Sequence, residues 1–441
     1  MTRLDRFFQL TARGTSVRTE VLAGVTTFLT MAYIVVVNPS ILGQAGMPVA
    51  AVAAATCLAA GVGCILMGLA ANYPIALAPG MGLNAYFAFT VVQTMGIPWQ
   101  TALGLVFLSG CLFLILTVAG VRQLIVNAIP RALFSAIAAG IGLFIAFIGL
   151  KGAGIVTANP GTTVGLGDLH NPTALLAILG LAIIGVLEVL KVRGGILIGI
   201  LLTSIIGWLL HLAHWTPAPY SVAEMTATAF QLDIPAALGI GGKGFGLALL
   251  EILFVFLFVD LFDNVGTLVA VTKKAGLVAA DGSIPRLNRI LFADATATVV
   301  GSLAGTSTVV SYIESASGVS AGGRTGLTAI VTGLLFLATL LVAPWAQVIP
   351  AAATAPALIL VGAMMMAPLS EIAWDDPVIA IPAFLTLITI PLTFSIANGL
   401  AFGVVAYAVL KIAARRFEKA DLLLVALAAL FVARFIYMAT A

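Results

Sequence analysis

The stretch YPIALAPGMGLNAYFAFTVV, Tyr73 to Val92, has the apolar length of a membrane span, yet it cannot cross a bilayer as one helix. Pro74, Pro79, Gly80 and Gly82 leave no intact helix before Leu83. A second stretch, GTSTVVSYIESASGVSAGG from Gly305 to Gly323, has the same fault: it opens on the β-branched residues Thr306, Thr308, Val309 and Val310 and stays rich in serine and glycine. Irregular backbone at membrane depth is tolerated only where protein buries it or where it lines a cavity. Each stretch is therefore expected to begin extended and restart as a half-helix, whose first amides and partial positive charge face a ligand.

Composition supplies the membrane that this reading needs. Hydrophobic residues make up 61% of the 441 and charged ones only 8%, whereas soluble domains carry about 25% charged residues. Fourteen apolar stretches approach the roughly 20 residues of a span. They begin near Val21, Ala50, Pro74, Ala102, Leu133, Thr173, Gly194, Gly246, Ile290, Thr306, Gly326, Pro350, Val378 and Ile396. A fifteenth, Asp421 to Thr440, contains Arg434 and reads as an interfacial helix, a hairpin helix or an added span within the C-terminal segment 415–441. The first 18 residues carry Arg3, Arg6, Arg13 and Arg18 without a signal-peptide pattern.

Charge sets the orientation. With segment 1–18 cytoplasmic, the even-numbered connections are cytoplasmic too. They hold Arg122, Arg131, Lys191, Arg193, Lys273, Lys274, Arg286, Arg289, Arg324, Lys411, Arg415, Arg416 and Lys419. Only Lys151, Lys243 and Arg434 of the 20 basic residues fall elsewhere. Both ends of the fourteen-span core then lie on the cytoplasmic side of the cell's inner membrane. The net charge of +3 reflects topology and gives no reason to invoke nucleic acid.

The two halves repeat. NPTALLAILG after Asn171 parallels DPVIAIPAFL after Asp376, and GGILIGILL from Gly194 parallels NGLAFGVVA from Asn398, with Gly195/Gly199 matching Gly399/Gly403. IPRALFSAIAAGIGLF from Ile129 likewise resembles IPAAATAPALILVGAM from Ile349. Seven spans per half is an odd number, so the second half enters the membrane reversed. The expected fold is an all-α polytopic membrane protein of two inverted seven-span repeats, with extended segments in broken spans 3 and 10.

Acids inside spans mark function, because each is costly in lipid. FLFVDLFDNVGTLVAV, Phe256 to Val271, holds Asp260 and Asp263 three residues apart on one helix face. Asp263 reads as a ligand contact and Asp260 as an interhelical acid with a part in proton coupling. Glu314 lies in the second broken stretch; SYIE there also fits a Ser-x-x-Glu capping box. Asn84, where the first broken stretch restarts, offers a donor and an acceptor. Asp294 reads as a helix-positioning acid, and Glu188 and Glu251 as snorkelling near span ends. Cys57, Cys64 and Cys111 lack metal or redox spacing, and His170, His211 and His214 lie in or beside loops. No Walker, HExxH, Gly-x-Ser-x-Gly or dinucleotide fingerprint stands in a credible context. Neither a metal nor another cofactor is expected.

Four blocks carry a resemblance: TEVLAGVTTFLTMAYIVVVNPSIL (Thr19–Leu42), ALAPGMGLNAYFAF (Ala76–Phe89), FVDLFDNVGTLVAVTKKAGL and GTSTVVSYIESASGVSAGGRTGLTA. In this order they resemble the AzgA-like purine permeases of the nucleobase:cation symporter family. The resemblance implies a core domain (19–125 and 246–346), a gate domain (126–215 and 347–414), an extracellular loop at 216–245 and a homodimer. It matches the family's eighth-span acid to Asp263, its tenth-span acid to Glu314 and its third-span polar residue to Asn84. Uracil carriers of the wider family place His where this chain has Thr267, which argues against uracil. A purine base is planar and carries ring N–H donors beside acceptor atoms, so a carboxylate with backbone amides matches its edge. Phe87, or Tyr86, is a candidate to cover its face, and Tyr312 and Thr267 complete the expected substrate contacts.

The function expected is import of hypoxanthine, guanine or adenine with a proton, by alternating access. Two carboxylates in one small cavity repel when both are ionised, so Asp263, Glu314 and Asp260 form the expected proton-coupling set. The alternatives are a carrier of the same fold for another nucleobase or a small organic anion, and a membrane acid/base enzyme. An anion carrier calls for a cation at the broken spans, where none is placed. An enzyme would have to return a changed substrate.

Overall fold

The computed structural model describes residues 3–120, 131–213, 221–240, 246–279, 283–418 and 421–440; Arg122, Ile129, His214, Lys243 and Lys419 lie outside them. Among the described residues, nine helices are long and apolar enough to cross a membrane by themselves. They are Val17–Gly43, Val49–Ala71, Trp99–Val118, Ala132–Gly152, Pro172–Val189, Ala248–Lys274, Gly326–Val348, Ala351–Glu371 and Ile396–Ala413. Gly195–Leu209, Pro377–Thr393 and Leu424–Ile436 are shorter apolar helices. The predicted stretch near Ile290 is the helix Leu287–Ala304, and the last stretch is helical from Leu422 to Thr440.

Both broken stretches are extended where the sequence requires it. Strand β1, Leu77–Pro79, is followed by a helix that begins at Met81 and continues in the wider π form through Thr94. A surface hairpin follows later, β2 (Val156–Asn159) against β3 (Thr163–Leu166). Strand β4, Val309–Ser311, precedes the short helix Ser315–Ser320. β1 and β4 pair antiparallel in the register Leu77 to Ser311, Ala78 to Val310 and Pro79 to Val309, and all six residues are buried. A proline is tolerated here because the short pair has no third strand that would need its missing N–H. The Gly80 amide extends the ladder to the Thr308 carbonyl at 2.9 Å. A Cβ on Gly80 would meet Val310 at 2.9 Å, so this turn needs glycine to let the strands approach.

The chain groups into two compact units, Met1–Ala119 with Gly149–Ala357, and Gly120–Ile148 with Leu358–Ala441. The first contains the strand pair and every candidate site residue. At one of its edges the Glu20 carboxylate, fully buried, accepts the amides of Arg324 (2.9 Å), Thr325 (3.2 Å) and Thr328 (3.2 Å) and the Thr328 hydroxyl (2.5 Å). It therefore satisfies the free N–H groups at the start of the helix Gly326–Thr339, the end at which a negative charge is favoured. Arg13 donates to the carbonyls of Asn72 and Arg324, both at 2.9 Å, fastening the N-terminal segment to the same corner.

The matched sequences of the two halves do the same local work. Asn171 and Asp376 each cap a helix that opens on proline, accepting the amide of the residue two further on at 2.9 and 3.1 Å. Gly199 faces Ile184 of the preceding helix, and Gly399 and Gly403 face Ile390 and Thr386 of theirs, so closely that an added Cβ would overlap them. These Gly-x-x-x-Gly pairs thus bring neighbouring helices of one chain together. The C-terminal helix packs back through Arg434, which donates from both terminal nitrogens to the Asn398 side-chain oxygen at 3.1 Å.

Candidate functional site

The paired strands create the site's geometry, since each ends where a half-helix begins. Glu314 immediately precedes the helix Ser315–Ser320, in the N-cap position, but its carboxylate makes no capping hydrogen bond. The capping box suggested by SYIE does not form, because Ser311 is held in β4 and cannot act as the cap. Instead Glu314 Oε1 accepts the Tyr33 hydroxyl at 2.7 Å, while Oε2 is buried without a partner. Tyr33 stands in the N-cap position of the helix Ile34–Gly43, just after the first helical segment Val17–Met31, and is itself 1% exposed.

Asp263 lies on the helix Leu247–Lys274, half-buried, within electrostatic reach of Glu314; both carboxylates act on the Tyr312 phenol. Among the described residues neither carboxylate has a lysine or arginine partner; the ion pairs there include His170–Asp168, Lys411–Asp421 and Arg416–Asp376. Thr267 follows Asp263 by one turn and is buried. Tyr312 is anchored at both ends: its amide donates to the Ala76 carbonyl at 3.0 Å and its hydroxyl to the Pro79 carbonyl at 2.5 Å. The hydroxyl is thus spent on the first broken span, and its ring is what remains for a ligand.

Asn84 sits one turn into the half-helix after β1, fully buried. Its Nδ2 donates to Asn38 Oδ1, and its own Oδ1 has no partner. No hydrogen bond joins Asn84 to Asp263 or Glu314. Phe87 and Tyr86 both pack against Phe256, with ring centroids 6.5 and 5.5 Å away, so protein already covers part of each ring.

Asp260 has a different setting from Asp263. Its Oδ1 accepts the Asn264 side-chain amide at 2.7 Å, and that same nitrogen donates to Asp294 Oδ2 at 2.7 Å. Asn264 Oδ1 in turn accepts the Ser311 amide at 2.8 Å. All three side chains are 0% exposed. Two acids on two helices therefore hold one asparagine, which pins β4 beside the candidate site. Asp294 has the positioning role its sequence context suggested.

Sequence reasoning missed Tyr33, Asn38 and Asn264. Each was visible as a polar residue inside an apolar span, but only the fold reveals their partners. Two cavities of about 460 Å³ lie elsewhere in the molecule. One is apolar, with Leu58, Phe230 and Leu340 in its wall, and the other is charged, with Asp376, Lys411 and Arg416. Neither includes a candidate site residue.

A family model described as Permease family (Xan_ur_permease) matches residues 18–438. Adenine permease AdeP of Escherichia coli is 45% identical over 435 residues, covering 99% of this chain and 96% of AdeP. Guanine/hypoxanthine permease PbuG of Bacillus subtilis is 46% identical over 450 residues, covering 99% of this chain and 100% of PbuG. Among solved structures, the transmembrane domain of the cyanobacterial bicarbonate transporter BicA matches with a TM-score of 0.63 at 18% identity. That match covers 88% of this chain and 97% of the domain and is a likeness of fold.

Proposed function

This chain belongs to the Permease family, a family of transporters and not of enzymes, and from that premise we propose that it carries purine nucleobases across the membrane with protons, by alternating access. The observation that carries the reading is the pair of buried acceptors left without partners at the two broken spans, Glu314 Oε2 and Asn84 Oδ1. A buried unsatisfied polar atom costs about 1–3 kcal/mol. A ligand that brings N–H groups to these atoms removes that cost, and a purine base has such groups on a flat, neutral frame. The relatives named for adenine and for guanine and hypoxanthine support the same substrate class.

In this reading Asp263 and Glu314 bind the base edge, with Asn84, Thr267, Tyr312 and Phe87 around it. Asp263 and Glu314 carry the transported proton, with Asp260 behind them. The reading includes two inverted seven-span repeats, a core domain (19–125, 246–346) that moves past a gate domain (126–215, 347–414), and a homodimer. It also includes a cytoplasmic N-terminus in the inner membrane. Uptake of radiolabelled hypoxanthine in cells lacking their own purine permeases, competed by unlabelled adenine, guanine and uracil, tests it. Competition by purines and none by uracil is expected; no uptake above the empty vector would overturn the reading.

A further inference from the structure

An asparagine amide can present either its carbonyl or its NH2 group to a ligand, and its other neighbours decide which. Around Asn84 those neighbours leave no choice. The Thr56 hydroxyl has one proton and gives it to the Val52 carbonyl at 2.6 Å, so the Thr56 oxygen can only accept. Asn38 must then turn its NH2 group toward Thr56, at 2.7 Å, and the second proton of that group goes to the Thr306 hydroxyl at 3.0 Å. Only the Asn38 carbonyl is left for Asn84, which answers with its own NH2 group. The Asn84 carbonyl consequently faces away from this chain of bonds, buried and unpartnered. All four side chains are 0% exposed, so water does not scramble the order.

We infer that Thr56 and Asn38 are positioning residues that fix the polarity of Asn84, making it an obligate acceptor that selects among purines by where they carry an N–H. The inference rests on the purine reading above and deepens it. In 6-oxopurines position 1 is an N–H donor and position 6 an acceptor; in 6-aminopurines the two are exchanged. A site atom whose polarity is fixed must favour one class, because the other class sets acceptor against acceptor. Released from the relay, Asn84 can rotate its amide and serve either class.

Calorimetric titration of the purified full-length protein with hypoxanthine and with adenine tests this, with unliganded thermal stability measured alongside. The wild type is expected to prefer one base by at least about tenfold in Kd. Thr56→Val exchanges a hydroxyl for a methyl and should bring the ratio within about threefold, chiefly by tightening the disfavoured base. Thr306→Val, which leaves the Thr56 lock intact, should keep the wild-type ratio. A purely structural role for Thr56 would weaken both bases by the same factor, and that result, or an unchanged ratio in Thr56→Val, overturns the relay. Equal wild-type affinities overturn it as well. A wild-type protein that binds neither base overturns the purine reading itself.

Discussion

Replacing Glu314 with glutamine isolates the carboxylate from everything else at the second broken span. The side chain keeps its shape, and its remaining carbonyl oxygen can still accept the Tyr33 hydroxyl, now 2.7 Å from Oε1. The new NH2 group then falls where Oε2 stood, the oxygen of this carboxylate that is buried without a partner. It presents a donor to a ligand donor. One charge-assisted hydrogen bond, about 1.5–3 kcal/mol, is lost, and a ligand N–H is left unsatisfied at about 1–3 kcal/mol. Taken together, about 2.5–6 kcal/mol at roughly 1.4 kcal/mol per decade gives a Kd weaker by about two to four orders of magnitude. The protein itself should fold normally, because Tyr33 keeps its acceptor. Titration of purified Glu314→Gln with the preferred purine measures the loss, and size-exclusion profile and melting temperature check the fold. A monodisperse variant with Kd within threefold of wild type would refute Glu314 as a base contact.

Asp263→Asn should abolish binding in the same assay, whereas Asp260→Asn should be milder, about 1 kcal/mol, since an asparagine oxygen can still accept from Asn264; equal losses would show that the two acids share one role. Glu20→Ala removes the acceptor of four hydrogen bonds at the start of the helix Gly326–Thr339 and should cost about 3 kcal/mol of stability, read as a lower melting temperature with the ligand-free protein. An unchanged melting temperature would remove Glu20 from the framework. Base uptake should rise as external pH falls from about 8 to about 6, collapse with a protonophore and ignore replacement of sodium by choline. Sodium dependence would overturn proton coupling.

Local chemistry made the two breaks legible. Pro79 and Gly80, and the β-branched run through Val310, forbid helix wherever they occur, so the extended segments could be read without any partner. The helix caps at Asn171 and Asp376 were equally local and appear as matched motifs in both halves. Partners remote in sequence were not legible. Tyr33 and Glu314 are 281 residues apart and Asn38 and Thr306 are 268 apart, and no spacing rule connects them. The capping box failed for a related reason: SYIE has the right local pattern, but pairing with Leu77 holds Ser311 in a strand. The glycine pairs are visible in the sequence as a match between the halves, but a sequence cannot say which helix they face; the fold supplies Ile184, Thr386 and Ile390 of the same chain.

Acids inside the membrane are held here by hydrogen bonds to neighbouring elements, and what those neighbours are differs between scaffold and candidate site. Asp260 and Asp294 hold the Asn264 amide, whose carbonyl holds β4, so that one oxygen of each carboxylate is tied into the architecture. Glu314 is held through Tyr33 and Asn84 through Asn38. In Glu314 and Asn84 a second acceptor is left over at the two broken spans. A fold that needed these residues only for stability would lose nothing by replacing them with apolar ones, since a fully apolar contact leaves no unsatisfied atom. Polar residues at these two positions make physical sense if the remaining bond arrives with a ligand. The same logic puts a fixed element under the candidate site: β4 is pinned by Asn264 from one side and by β1 from the other, so both half-helices start from an anchored pair of strands.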